Sequence, residues 1–479
     1  MDNYACQFSR SARLVATLLY LAIGLLLILK IPDIAGYSFL GKYIYVVISY
    51  FVVTGIWLTY IYKYGFYIFE PSTIVLVITI ITYSIEPLIS IITDDTTIGG
   101  FEVFDGCYKA TTIYMFATII FMFFYYNTSY RRKQFVFFEN FGWYRNINRK
   151  VHVQTLLILA YLFVLIGVGV SLIDLLMRGY DIEYIFSWGV SGEFSVGEES
   201  TGVFINLRYL MIPGFLYLDI YETRKWRTIL LRAIVLACLL IRTTRWIVIV
   251  LLMSPIVLKY LRENRKVNYS RFVIYIVIFV LIISGMQFTR SFVRDGLGAA
   301  NASWNNFDLM YIWSAFSGNF DLYKTLYGAV SYFPDKHFYT LGQQMIVLTL
   351  VTCIPRSIWS NKPVSIIDSV LKPYFMGQES VRGHWAYAQL TEFYIEFGII
   401  GVMICMAIFG RLCAGIRNMY VNNRDIHDYV LAAFLFPMLM QFVIRGYMPI
   451  NFWALFFMLI PVWIMRLLNL GDKYEQQNY

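Results

Sequence analysis

VQTLLILAYLFVLIGVGVSLIDLLM, residues 153–177, decides the fold class. An apolar run of this length reaches the ~20 residues that a helix needs to cross the ~30 Å of hydrocarbon in a bilayer. SARLVATLLYLAIGLLLILKI (11–31) and YIYVVISYFVVTGIWLTYIY (43–62) do the same. The whole chain of 479 residues is 59% hydrophobic and 19% aromatic with only 14% charged side chains, which excludes an ordinary soluble domain. The expected fold is all-α, a polytopic helix bundle embedded in the lipid bilayer. No small-residue cleavage site follows the first run, so it is expected to stay as an anchor.

Further spans are expected near 72–92, 108–127, 202–220, 228–242, 245–260, 272–289, 387–411, 429–446 and 450–468, about twelve in all. The stretch 228–260 makes two spans only if RTTR (242–245) forms a tight hairpin, because one helix of that length is too long. Loop charge orients the bundle. Lys and Arg collect in cytoplasmic loops, and one set of loops holds Arg10/Arg13, Arg131/Arg132/Lys133, Arg145/Arg149/Lys150, Arg224/Lys225/Arg227 and Arg262/Arg265/Lys266. The intervening loops hold Asp94, Asp95, Glu102 and Asp105, then Asp181, Glu183, Glu193, Glu198 and Glu199. Both termini are therefore expected inside. The net charge of +9 is mostly this orientation signal, so no nucleic acid is expected as partner.

The chain reads as one domain, 1–479, with a large external loop (290–386) inserted within it. Loops of that size usually carry function. NNFDLMYIWSAFSGNFDLYKTLYGAV (305–330) and FYTLGQQMIVLTLVTCIPRSIW (338–359) are aromatic and amphipathic, and are expected to lie on or dip into the outer interface. Reading the second as a thirteenth span would place Arg411, Arg417 and Arg424 outside, against the charge rule.

The six cysteines show neither a pairing pattern nor metal-ligand spacing. Only Cys107 and Cys353 are expected outside, where a disulfide could join them. There is no phosphate-binding Gly loop, nucleophile elbow or zinc-binding His pair. No metal and no cofactor are expected.

Ionisable groups at membrane depth are costly and therefore mark function. Arg208 falls in the outer third of its span, Arg242 and Arg245 at an outer hairpin, and Arg290 and Arg294 just after a span on the outer side. Arg356, Arg382 and Arg445 are also external. This excess of arginine on the outer face suits an anion at the membrane surface, since the guanidinium fork donates two parallel hydrogen bonds to phosphate oxygens and keeps its charge. Each arginine alone could equally snorkel to head groups or pair with an acid.

In GHWAYAQLTEFYIEFGIIG (383–401), Glu392 and Glu396 share one helix face, with Gln389 near them and His384 about two turns earlier. Such a pair holds a proton, binds arginines from neighbouring helices, or lines a wet cavity. Neutralising the arginines and a catalytic role for one glutamate are both open. His384 could serve as a general base. Gly398 and Gly401 are expected to allow close helix packing.

About twelve spans, a dominant external loop late in the chain, PRSIWSNKP (355–363) and EFYIEFGIIG (392–401) together resemble the Wzy-type O-antigen or oligosaccharide repeat-unit polymerases. The related O-antigen ligases carry a histidine before a similar helix, which His384 resembles, and a short arginine turn, which RTTR resembles. His384 stands farther from the following FG pair than in the ligase pattern. The resemblance implies a glycosyltransferase of the bacterial inner membrane, part of lipopolysaccharide or capsule biosynthesis, working with its large loop in the periplasm. The growing chain on undecaprenyl diphosphate would be donor, and a hydroxyl of the newest lipid-linked repeat unit would attack its anomeric carbon. Neither nucleotide sugar nor metal is implied, so cationic side chains must stabilise the leaving charge. Arg242, Arg245, Arg290 and Arg294 are the first candidates for the diphosphates, and Arg208, Arg356, Arg382 and Arg445 the second. His384 or Glu392 would orient or deprotonate the acceptor. Trp304, Trp313, Trp359 and Trp385 could stack on sugars or anchor the interface. A chain-length regulator protein is a further partner the resemblance admits. A ligase, which passes the finished chain to lipid A core, and a flippase for the same lipid-linked sugar remain alternatives; a flippase usually shows repeated halves with broken helices at matching positions, and no internal repeat is visible.

Overall fold

In hydrocarbon only a helix satisfies every backbone N–H and C=O within its own segment, and the long apolar runs accordingly wind into helices. The structure is a computed structural model, which describes residues 10–29, 39–130, 153–177, 202–240, 245–263, 320–354, 358–376, 386–422 and 425–468. Its helices are α1 (Arg10–Leu29), α2 (Leu40–Tyr64), α3 (Pro71–Ile92), α4 (Cys107–Tyr130), α5 (Val153–Met177), α6 (Met211–Tyr221, preceded by a 3-10 stretch over Gly202–Leu210), α7 (Lys225–Leu240) and α8 (Arg245–Glu263). After the expected external loop begins come α9 (Tyr323–Tyr332), a short α10 (π-wound over Gln343–Leu348, then Thr349–Val351), α11 (Ile367–Leu371 and Lys372–Met376), α12 (Gln389–Asn422), α13 (Ile426–Ile444) and α14 (Met448–Leu468). Two strands of two residues each, Thr97–Ile98 and Phe101–Glu102, pair antiparallel between α3 and α4.

Every expected span except 272–289 coincides with one of these helices, and that segment lies outside the described residues. Among the described residues, 7 helices are long and apolar enough to cross a membrane: α2, α3, α4, α5, α12, α13 and α14. The other five expected spans rest on the apolar runs of the sequence. The stretch 228–260 does form two helices, α7 and α8, packed side by side.

Local chemistry sets several boundaries. Pro71 opens α3 at a position where its missing N–H costs nothing. The Asp425 side chain caps α13 by accepting from His427 N. A π-turn over Ile81–Ile85 interrupts α3 just before Pro87, which has no N–H to offer the Tyr83 carbonyl.

Small residues let the bundle close. A Cβ on Gly410 would stand 2.7 Å from the Phe121 carbonyl, so α12 and α4 touch backbone to backbone. Likewise Gly214 of α6 faces the Ala160 carbonyl of α5 at 3.2 Å. At one end of the bundle Arg417 Nε meets the Glu70 carboxylate at 2.9 Å, and Tyr125 and Tyr130 donate to the same oxygen at 2.9 and 3.2 Å. The Arg466–Asp428 pair and the Tyr217 hydroxyl on His427 Nδ1 at 2.8 Å tie α14, α13 and α6.

Two expectations are corrected. The segment 305–330 does not lie on the interface where it is described: Tyr323 to Val330 of α9 are all buried. Its aromatic character serves internal packing, with the Tyr327 ring 5.1 Å from Phe104, and its buried Lys324 takes Asp95 at 2.8 Å and Asp321 at 3.0 Å. Burial, the larger effect, raises the Asp321 carboxyl above its ordinary range against the pull of Lys324. Cys107 and Cys353 are free thiols, and Cys107 is buried against the Tyr327 hydroxyl and Thr111. By contrast, 338–359 gives only the short α10, far too brief to span. It leaves Ile346, Val347 and Leu350 exposed.

Candidate functional site

The site begins with a break in α12. Gly398 takes φ 65, ψ −158, a conformation essentially reserved for glycine, so the helix ends and restarts around it. A break frees carbonyls that the helix would otherwise use. Here Ile395 O and Glu396 O accept from Thr340 N at 3.0 Å and Leu341 N at 2.9 Å. The segment leading into α10 is thus stitched into the gap. A Cβ on Gly398 would meet the Tyr339 ring at 2.8 Å, and one on Gly401 would meet Phe397 Cβ at 2.0 Å. The expectation that these glycines only ease helix packing is corrected: Gly398 permits the break, and Gly401 lies folded against the residue just before it.

The two glutamates now acquire partners. Glu396 is fully buried, and its carboxylate accepts from Gly342 N and, at 2.7 Å, from Met345 N, the first turn of α10. One turn earlier on the same face, Glu392 Oε1 accepts from Met448 N at 3.0 Å, the first residue of α14. A carboxylate at a helix N-terminus satisfies orphan N–H groups and faces the positive end of the dipole. The pair therefore neutralises helix ends from neighbouring elements. Among the described residues neither glutamate pairs with an arginine, and most of the arginines expected near them lie outside those residues. Glu392 differs from Glu396 in one respect: its second oxygen is buried with no hydrogen-bond partner. The Tyr387 hydroxyl lies beside that carboxylate and interacts with it, short of good hydrogen-bond geometry.

The turn between α13 and α14 seals this region. Gly446 N donates to Tyr387 O at 2.9 Å, and a Cβ there would stand 2.7 Å from Gln389 Cα. Asn451 Nδ2 donates to Arg445 O at 2.9 Å, and the Tyr387 and Tyr447 rings meet edge-on at 5.9 Å. Arg445 is half-buried in the turn that leads to the Glu392-capped amide. Tyr339 packs edge-on against Tyr394 at 5.7 Å, and burial pushes its phenol up to about 12.

Arg208 lies in the 3-10 stretch before α6, which packs against α5 and α14. It is 6% exposed, and its contacts are the neighbouring Tyr209: Nη2 donates to the hydroxyl at 3.2 Å and the guanidinium stands 5.0 Å from the ring centroid. No ion pair to a carboxylate forms among the described residues. A buried cation of this kind is expensive without a counter-charge. Its neighbour α14 is also the helix that Glu392 caps.

Arg242, Arg290, Arg294, Arg356, Arg382 and His384 lie outside the described residues, as do Trp304, Trp313 and Trp385; Arg245 opens α8 with its side chain outside them. Trp359 is exposed beside Ile358, and in the same loop Lys362 Nζ donates to Thr352 O at 3.3 Å and Ile354 O at 3.2 Å. Among the described residues no group of three His, Cys, Asp or Glu side chains could hold a metal ion. The structure brings Glu392, Glu396 and the Arg445 turn together around the break. Sequence reading missed Gln344, whose side-chain amide is 2% exposed and unpartnered at both ends. It also gave no role to Tyr387 and Gln389, for which a polar residue opening an apolar span was the available signal.

Chemically, a half-free carboxylate beside a phenol can orient or deprotonate a hydroxyl, and an unpaired buried guanidinium can hold an anion. No curated protein and no solved structure matches the chain. The model of the family described as O-antigen polysaccharide polymerase Wzy does match, over residues 14–473, and with a helical membrane architecture built around that site the chain belongs to this family.

Proposed function

We propose that this protein polymerises undecaprenyl-diphosphate-linked oligosaccharide repeat units at the outer face of the bacterial inner membrane. The observation that carries the reading is Arg208: a guanidinium 6% exposed, with a tyrosine and, among the described residues, no carboxylate for company, calls for an anion. A diphosphate on a lipid is the anion that a membrane polymerase of this family would bring there. In the reaction, a hydroxyl oxygen of the new repeat unit bonds to the anomeric carbon of the growing chain. The bond from that carbon to the diphosphate breaks, and undecaprenyl diphosphate departs with the electron pair. Arg208, with Arg242, Arg245, Arg290, Arg294, Arg356, Arg382 and Arg445, stabilises the developing negative charge. The hydroxyl proton passes to Glu392 or His384.

Family membership favours this reading over a flippase. The break at Gly398 is a feature transporters also use, but no described helix carries a second break of that kind. The test is a product gel after incubating the purified protein with its lipid-diphosphate-linked repeat unit, without nucleotide sugar and with a chelator present. A ladder of added repeats is expected, and Arg208→Met should abolish it. Absence of any ladder with authentic substrate refutes the reading. A single shift that requires lipid A core would indicate a ligase, and movement across vesicles without bond formation a flippase.

A further inference from the structure

Buried polar atoms without partners are few in folded proteins, and each calls for a reason. Four side chains bearing such atoms belong to the elements around the α12 break. At the start of α12 Gln389 Nε2 is unpartnered, and one helical turn later on the same face Glu392 Oε2 has only the Tyr387 hydroxyl beside it, short of good hydrogen-bond geometry. Gln344 leaves both Oε1 and Nε2 unpartnered on α10, the helix that Glu396 caps one turn further along that face. All four residues are between 1% and 2% exposed. Their surroundings are fixed from several sides: Gly446 presses on Gln389 Cα, Met448 N holds the other Glu392 oxygen, and Met345 N anchors the turn that carries Gln344.

The chemistry of the set is specific. The four side chains offer amide N–H donors, an amide carbonyl, a phenol and one carboxylate oxygen, and none of the four is a cation. A phosphate would be repelled by Glu392 and find no positive charge among these four side chains. A sugar bearing several hydroxyls, each able to donate and accept, matches the whole set. We infer that Tyr387, Gln389, Glu392 and Gln344 form the subsite for the acceptor saccharide, with hydroxyls of the incoming repeat unit satisfying the four side chains. This inference rests on the polymerase reading above and adds to it which residues recognise sugar as opposed to diphosphate.

The test uses the purified full chain in detergent and two probes: the lipid-linked repeat unit extracted from cells lacking this protein, and sugar-free undecaprenyl diphosphate. Binding is followed by tryptophan fluorescence. Gln389→Leu and Gln344→Leu should each weaken the sugar-bearing lipid on the order of tenfold, the worth of one lost buried hydrogen bond. Affinity for the sugar-free lipid should stay unchanged. The empty variants should also melt at or above the wild-type temperature, because each loses an unsatisfied buried amide; a residue with only a structural role would lower it. Unchanged affinity for both probes, or equal weakening for both, overturns the assignment. If the leucine variants fail to fold, Gln389→Met and Gln344→Met, unbranched and of similar length, take their place, and failure of both pairs makes the amides structural and overturns it too. Failure of the polymerase reading shows separately, as a wild-type protein that makes no ladder.

Discussion

Gly398→Ala should damage this protein out of proportion to one added methyl group. Two costs are open to the variant, and it must bear at least one. If the backbone keeps φ 65, ψ −158, an alanine sits in a conformation that costs about 1–3 kcal/mol, and its Cβ drives against the Tyr339 ring at 2.8 Å. If α12 straightens to escape, Ile395 O and Glu396 O return to the helix, and Thr340 N and Leu341 N lose their bonds of 3.0 and 2.9 Å. Neither residue is buried, so each lost bond costs about 0.5–1.5 kcal/mol. Either route puts the loss near 1–3 kcal/mol, and the second also misplaces the α10 turn that Glu396 holds. The control lies in the same helix: a Cβ on Gly415 meets nothing within 4 Å, so Gly415→Ala should be neutral or stabilise by up to about 1 kcal/mol. Thermal denaturation of both variants in detergent, with the product ladder alongside, checks the argument. A Gly398→Ala protein that melts and polymerises like Gly415→Ala would refute it. Replacing Tyr339 by leucine in the Gly398→Ala background separates the routes, because it relieves the ring contact and leaves the backbone strain.

Other perturbations follow from features elsewhere in the bundle. Arg417→Met strands the Glu70 carboxylate, 3% exposed, with only two tyrosine donors, and should destabilise by about 3 kcal/mol; adding Glu70→Gln should recover part of the loss in thermal melts. Arg290→Ala should abolish the ladder while leaving a folded, inserted protein, as measured by gel and melting temperature. Tyr161 donates to Glu222 at 2.5 Å and, ahead of the Arg224 amide, holds that carboxyl below its ordinary range. A lowered folded value means the stabilisation is complete above the unfolded value and is lost as pH falls through the folded one. Wild-type melting temperature should therefore drop on acidification through the lower carboxylate range, and Tyr161→Phe should shrink that drop.

The long helices were legible because hydrocarbon imposes one solution on an apolar run, and the rejected thirteenth span was legible because its arginines would have fallen on the wrong side. What was hidden depends on partners distant in sequence. Nothing near residue 396 shows that its carboxylate serves the amides of Gly342 and Met345, so a like-charged pair suggested arginines instead. The break was hidden for the same reason: glycine is common in membrane helices, and only the arrival of Tyr339 and Thr340 gives Gly398 its meaning. Amphipathic, aromatic patterning misplaced α9, since it suits a membrane surface and a protein interior equally well. Arg208 stood out in both readings, because an arginine at membrane depth is rare whatever surrounds it.

The stitched break has a consequence for how such a chain can vary in length. Residues 340–345 supply four amides to three acceptors spaced along 395–396, two carbonyls and one carboxylate. Inserting or deleting a single residue there shifts every donor off its acceptor at once, although the stretch sits in what looks like an ordinary connecting loop. The Gly99–Gly100 tip of the small hairpin has no such constraint, since a Cβ at Gly100 meets nothing within 4 Å. Tags, spacers and natural length differences belong at the hairpin, and the six residues before the middle of α10 must keep their count.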